Sequence, residues 1–323
     1  MENEVFPKTV KQNYYVCAIV FGVDESILNI ELIDGFQFVK KPIVSEEENL
    51  IKVFQTDAIG FQRQYYDAII HDGSLSFGSV ICFEKHIEIE SSPNDSIEFW
   101  HQQNIDDIKS IDDQIRIIRL FKEGSIRVKY ISFNLKSENY GPTEIDLSFG
   151  NNSILRVGES FTTKPLSIMH FTREETTQIN RALNELSLPL SDSLLNSAHI
   201  YYDLSYHTEL YIAVTLLITA LEIIFLKKGD SKKEPLSKRC ASYIGTTDKE
   251  INRYYQCLKD SYEKRSDFVH EGNALFITEN IVLFLRECVR KSILKALDST
   301  ETKTERIKRL KEFVENNQKL FGD

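Results

Sequence analysis

Residues 210–226 read LYIAVTLLITALEIIFL, a run of 17 positions in which Glu222 is the one charged residue. A bilayer-spanning helix needs about 20 apolar residues, so this run is too short and too interrupted to cross a membrane. It reads instead as a buried helix. Working outward, a long helix is expected over Ala198–Lys228, ending at Gly229-Asp230. Pro235 suits the first turn of a second helix, which Gly245 closes. Asp248 can cap a third that runs to about His270 and closes at Gly272. Asn273–Asp298 and Thr302–Phe321 supply two more. Five helices in this part of the chain predict a compact bundle.

Upstream the periodicity changes. Ile126, Val128 and Tyr130 alternate with Arg127 and Lys129, and Ile145, Leu147 and Phe149 alternate with Asp146 and Ser148. Similar half-buried strand patterns lie at Tyr14–Phe21, Leu28–Ile33, Val80–Glu90 and Ile154–Phe161. Asp34-Gly35, Asp72-Gly73, Glu123-Gly124 and Gly150-Asn151 mark turns between them. Asp112–Phe121 fits either a short helix or a strand. Thr172 and Glu175 form a capping box that opens a helix to about Leu186, and Leu188–Ser193 forms a boundary. The expected class is α+β. Residues 1–190 form a β-rich domain, a sandwich or a partly open barrel, that ends in a helix; residues 191–323 form an all-helical domain.

Composition separates the same two parts. The chain carries 39 Lys+Arg and 49 Asp+Glu; 21 and 20 of these lie from Ser191 onward, leaving 18 and 29 before it. The helical part is therefore near neutral at +1, and the first 190 residues are acidic at −11. Phosphate contacts need concentrated Lys and Arg, so the acidic part is a poor nucleic-acid surface. The start, MENEVFPKTV, lacks the basic start and apolar run expected of a signal peptide. Five dispersed cysteines with no CxxC pair argue against disulfides and structural zinc and fit a reducing cytoplasm. His71, His86, His101 and His170 have no metal-ligand spacing, and no Gly-rich phosphate loop or nucleophile elbow is present, so neither metal nor cofactor is expected.

One pair stands out on the third helix: Arg265 and His270, with four residues between them. Five helical steps place them about 140° apart, so one ideal helix does not put both on one face. Such a spacing alone is also met by chance, and a histidine in a last turn can simply serve the final carbonyls. Glu222 is costly to bury unpaired, and Arg239 on the second helix is its expected partner, which makes the two a core ion pair or support for the site. The run Lys227 to Lys233, continuing to Lys238-Arg239, reads as a solvated loop, with a phosphate-tracking patch through Lys232, Lys233 and Lys238 as the alternative. Tyr254, Tyr255 and Tyr262 read as packing residues, and His199, Tyr201, Tyr202 and His207 as packing at the start of the long helix.

Three blocks in order resemble the ApeA-like branch of the HEPN family. Leu217-Ile218-Thr219-Ala220-Leu221-Glu222-Ile223-Ile224-Phe225 is similar to its first-helix signature. Pro235-Leu236-Ser237-Lys238-Arg239-Cys240-Ala241, continuing to Tyr243-Ile244-Gly245, is similar to its second. Tyr262-Glu263-Lys264-Arg265-Ser266-Asp267-Phe268-Val269-His270-Glu271-Gly272 is similar to the closing block. The chain departs from the broader family at Ser266, where Asn, Asp or His is common, and at Glu271, which separates His270 from Gly272.

The resemblance implies a metal-independent endoribonuclease, usually a homodimer through the helical domain, with Arg265 and His270 as catalytic pair and Ser266 and Asp267 as support. RNA brings its own nucleophile, the 2′-OH. A histidine near neutral pKa moves the proton, and a guanidinium stabilises charge growing on the phosphate. The expected products are a 2′,3′-cyclic phosphate and a 5′-OH. The resemblance further implies anti-phage defence or toxin action on RNA, with tRNA as candidate substrate. The acidic N-terminal domain would restrain the nuclease until an unidentified trigger acts. The alternative is a non-catalytic HEPN module that dimerises or binds nucleotide as an adaptor.

Overall fold

The computed structural model describes residues 10–42, 79–91, 97–124, 126–137, 155–156 and 168–322. They form an α+β protein with two compact units. The N-terminal unit ends at Glu185; the second runs from Leu186 onward and also takes in Leu120–Glu123.

The N-terminal unit is built on β1 (Val10–Phe21), β2 (Phe36–Pro42), β3 (Ser79–Ser91), β4 (Arg127–Ser137) and β5 (Leu155–Arg156). Their order is β2-β3-β1-β4-β5, and every neighbouring pair is antiparallel. The central strand is β1, and from Tyr14 to Phe21 its side chains are buried on both faces. That is why YYVCAIVF reads as a continuous apolar run rather than as an alternation. The described strands make one sheet, with α1 (Ile97–Phe121) on one face instead of a second sheet. Asp107 fixes α1 to that face: it accepts from the Tyr14 hydroxyl at 2.8 Å and pairs with Lys85 Nζ at 2.7 Å.

The ambiguous segment 112–121 belongs to this helix, with Ile111, Ile115 and Ile118 buried at helical spacing. The strand expected at Leu28–Ile33 is instead a 3-10 turn at Glu25–Asn29 followed by a connection, because the Asp24 carboxylate caps Ser26 N–H at 2.9 Å. The strand expected at 145–149 lies outside the described residues, and of Ile154–Phe161 only Leu155–Arg156 is described. Gly124 is required by close packing, since a Cβ there would overlap the Met169 side chain. The unit closes with α2 (Arg173–Glu185), opened by the expected box: Thr172 N–H donates to Glu175 at 2.8 Å, and Glu175 N–H donates to the Thr172 hydroxyl at 3.2 Å.

The second unit holds α3 (Ser193–Leu204), α4 (Leu210–Phe225), α5 (Lys233–Ile244), α6 (Asp248–Glu271), α7 (Glu279–Leu297) and α8 (Lys303–Asn316). The single long helix expected over Ala198–Lys228 is thus two helices. They are joined by a 3-10 turn at Ser205–His207 and an extended Thr208-Glu209. The break is held by Arg286 on α7, 1 % exposed, which donates to the Ser205 carbonyl at 2.6 Å and the Ser205 hydroxyl at 3.1 Å. A carbonyl freed by ending α3 thereby gains a charged partner in the core.

Other boundaries shift for local reasons. Thr247, not Asp248, is the N-cap of α6, its hydroxyl accepting from Glu250 N–H at 3.3 Å. Residues 273–278 form a loop, so the fourth expected helix begins at Glu279 rather than Asn273. The α8 helix carries a full capping box between Thr302 and Glu305 and stops at Asn316, leaving a 3-10 turn at Gln318–Phe321.

Candidate functional site

The buried helix α4 is the axis on which the site is built, and α6 packs beside it. Two contacts fix the register between them. The Tyr262 hydroxyl donates to Glu222 Oε1 at 3.2 Å, and the rings of Tyr211 and Phe268 lie 4.9 Å apart. Burial, the Glu222 charge and its hydrogen bond push the Tyr262 hydroxyl above its usual pKa, against the pull of Arg265. Tyr262 is therefore a neutral donor that spans from α6 to α4. From sequence Tyr262 reads as a packing residue alone; its place one turn before Arg265, in the same block, is the available signal.

Arg265 stands one turn after Tyr262, half-buried, with its guanidinium carbon 5.8 Å from the Tyr262 ring centre. Its Nε is buried with no hydrogen-bond partner, and no ion pair among the described residues engages it. Its basic neighbours differ: Lys264 pairs with Asp260 at 2.6 Å, Lys259 with Glu234 at 3.1 Å, and Lys233 with Glu263 at 2.8 Å. An arginine withheld from carboxylates in so ion-paired a region is free to meet an anion.

His270 is exposed in the last turn, and α6 stays helical through Glu271, so the helix end does not unwind to bring the pair together. On that geometry Arg265 and His270 are about 140° apart around the axis and about 7.5 Å apart along it. Gly272 ends the helix at φ +70°, with its N–H on the Asp267 and Phe268 carbonyls. Val269 in this last turn is 45 % exposed, and Leu275 and Phe276 in the loop that follows are 86 % and 63 % exposed, so large apolar side chains meet solvent on either side of Gly272 in the chain. Ser266 is half-buried and Asp267 exposed.

The expected Glu222–Arg239 pair does not form. Arg239, buried, instead donates to Asp230 at 2.5 Å and to the Phe225 carbonyl at 2.9 Å, clasping the end of α4 to the following loop. The cause is local: Phe225 O is among the last carbonyls of α4, which have no helical partner. The Arg239 hydrogen bond holds the Asp230 carboxyl below its ordinary range. Glu222 takes Tyr262 and, at 3.9 Å, Lys232.

No family model, no curated protein and no solved structure matches the chain.

The three lysines expected to meet RNA each face a carboxylate: Lys232 faces Glu222, Lys233 faces Glu263, and Lys238 lies 3.9 Å from Glu234. Lys238 also sits over the rings of Tyr255 and Phe321, at 5.8 and 5.4 Å. Lys227 and Lys228 remain exposed beside Gly229. Among the described residues no group of three His, Cys, Asp or Glu is gathered to hold a metal, and no helix is long and apolar enough to cross a membrane.

Proposed function

We propose that the helical unit is a metal-independent endoribonuclease of the ApeA-like HEPN type, with Arg265 and His270 as its catalytic pair. The observation that carries this is the state of Arg265. It is anchored over Tyr262 and has no carboxylate partner among the described residues, and an exposed His270 follows on the same helix. A fixed guanidinium stabilises charge growing on a phosphate, and an imidazole moves the proton of the attacking 2′-OH. Because the pair diverges by about 140° on an intact helix, two copies of the chain complete the site. Val269, Leu275 and Phe276, close to His270 in the chain, offer exposed apolar surface for that contact. Tyr262 and Glu222 hold Arg265 in register, Ser266 and Asp267 flank it, and Lys227 and Lys228 offer free charge to an RNA backbone. The role that follows is anti-phage or toxin action on RNA, with tRNA as candidate substrate and the acidic N-terminal unit as restraint.

The adaptor reading draws on the same apolar residues, since Leu275 and Phe276 suit a binding surface whether or not RNA is cut. Incubating the full chain with total RNA and tRNA in EDTA separates the two. The nuclease predicts cleavage that survives EDTA and disappears in Arg265→Ala and in His270→Ala. Cleavage that persists in both variants, or that EDTA abolishes, would exclude it.

A further inference from the structure

The helical unit carries a second concentration of positive charge, near the other end of α6. Tyr243 closes α5 just before Gly245, and three cations lie over its ring. Lys295 Nζ is 5.1 Å from the ring centre, and the guanidinium carbons of Arg306 and Arg309 are 5.6 and 5.9 Å from it. Lys295 also donates to the Tyr243 carbonyl at 2.6 Å. Arg306, 2 % exposed, donates to the Glu301 carbonyl at 3.3 Å. The Tyr243 hydroxyl and Arg306 Nε are both buried without a hydrogen bond of good geometry, and Arg306 lies close enough to the hydroxyl to draw its pKa down against burial.

One carboxylate is ion-paired into this group. Glu301 takes Arg309 at 2.8 and 3.0 Å, leaving Lys295 and Arg306 without a carboxylate among the described ion pairs. The surplus registers on its neighbours. Burial and the adjacent Arg309 hold Lys295 below the usual ammonium range. Burial and Arg306 do the same to Lys303, although Asp230 and Asp192 pull it the other way. Like charges gathered with so little compensation are costly unless an anion joins them. Burial raises the Tyr243 hydroxyl above its usual pKa, so it stays a protonated donor. From Asp248 to Arg265 the helix α6 advances about 26 Å, so this group is separate from the Arg265–His270 site.

We propose that Tyr243, Lys295, Arg306 and Arg309 form a second anion site, which takes a phosphate group. Arg309, half-exposed, and Lys295 meet the phosphate at the surface, while the buried Arg306 supplies fixed charge behind them. The phosphate comes either from a free nucleotide-like anion or from an RNA backbone, and the two sources give different results below. The free-anion result does not depend on the nuclease reading.

The test is binding of inorganic pyrophosphate to the full chain at constant ionic strength, followed by thermal shift. Wild type is expected to be stabilised. The double variant Lys295→Gln/Arg309→Gln should bind about tenfold more weakly or worse, having lost two charged contacts. Glu301→Gln, which frees Arg309, should bind more tightly, and Lys308→Gln, on the solvated side of α8, should match wild type. No stabilisation of wild type, equal affinity in the double variant, or no tightening in Glu301→Gln would each overturn the site. A short single-stranded RNA, offered in a His270→Ala background, then names the source. If the double variant also weakens RNA binding and lowers its salt slope by about 1.4, the phosphate is from the backbone. If RNA binding is unchanged while pyrophosphate is lost, the ligand is a free anion.

Discussion

Replacing Arg286 by Met tests what breaks α3 from α4. Met preserves most of the volume, so the loss is polar. Arg286 donates twice to Ser205, lies 3.5 Å from Glu123 Oε1, and sits 3.9 Å over the Tyr206 ring. A hydrogen bond from a charged group contributes about 1.5–3 kcal/mol, and leaving a buried partner uncompensated costs about 3–5 kcal/mol. The expected loss is therefore about 3–5 kcal/mol, a large part of a typical domain's stability. It should also depend on pH. Burial already raises the Glu123 carboxyl above its ordinary range, with Arg286 and Arg290 opposing. Removing Arg286 raises it further. A carboxyl raised in the folded state weakens folding above its folded value and ceases to do so once protonated. The deficit should thus be greatest in weak alkali and shrink as pH falls through the raised value. Urea unfolding followed by far-UV circular dichroism across that range measures both. A deficit below about 1 kcal/mol at every pH would refute the role assigned to Arg286.

Gly245→Ala should cost about 1–3 kcal/mol, because its Cβ would lie 2.7 Å from Ile251 Cγ1 and 2.9 Å from the Ala241 carbonyl. Gly272→Ala meets open space and should cost only the strain of φ +70°, about 1 kcal/mol; paired urea melts compare them. Asp230→Asn should cost about 1–2 kcal/mol at neutral pH. The Asp230 carboxyl is held low by Arg239, so its stabilisation is full above the unfolded aspartate pKa and fades as pH falls through the folded value; a pH series of melts should show the variant's deficit vanish in acid. Arg265→Ala and His270→Ala should each change stability by less than about 1 kcal/mol, since neither side chain has a hydrogen bond or ion pair among the described residues; a thermal melt of each variant checks this.

Features set by neighbouring residues could be read directly from the chain. The Thr172–Glu175 box, Pro235 in the first turn of α5, and Gly245 and Gly272 at helix ends are local devices, and each sits where the pattern places it. Features set across the chain could not. Nothing near Ser205 signals a break, because the arginine that captures it is 81 residues away. Asp112–Phe121 stayed ambiguous because its isoleucines satisfy both periods; Asp107, paired with Lys85 from β3, ties that helix to the sheet. Charge alone matches Arg239 to Glu222, whereas Asp230 is nearer in the chain and reaches it with Phe225 O at hand. For the candidate site, the identity and spacing of Arg265 and His270 were legible. That Arg265 lacks a carboxylate while its neighbours have one depends on the packing of α6 against α4 and α5.

The most direct test of the account is end-group analysis of RNA cut by the full chain in EDTA. A 2′,3′-cyclic phosphate and a 5′-OH from wild type, and no cut ends from Arg265→Ala or His270→Ala, are the predicted result. Ends bearing a 3′-OH and a 5′-phosphate would mean that water, not the 2′-OH, is the nucleophile, and would contradict the mechanism assigned to this pair.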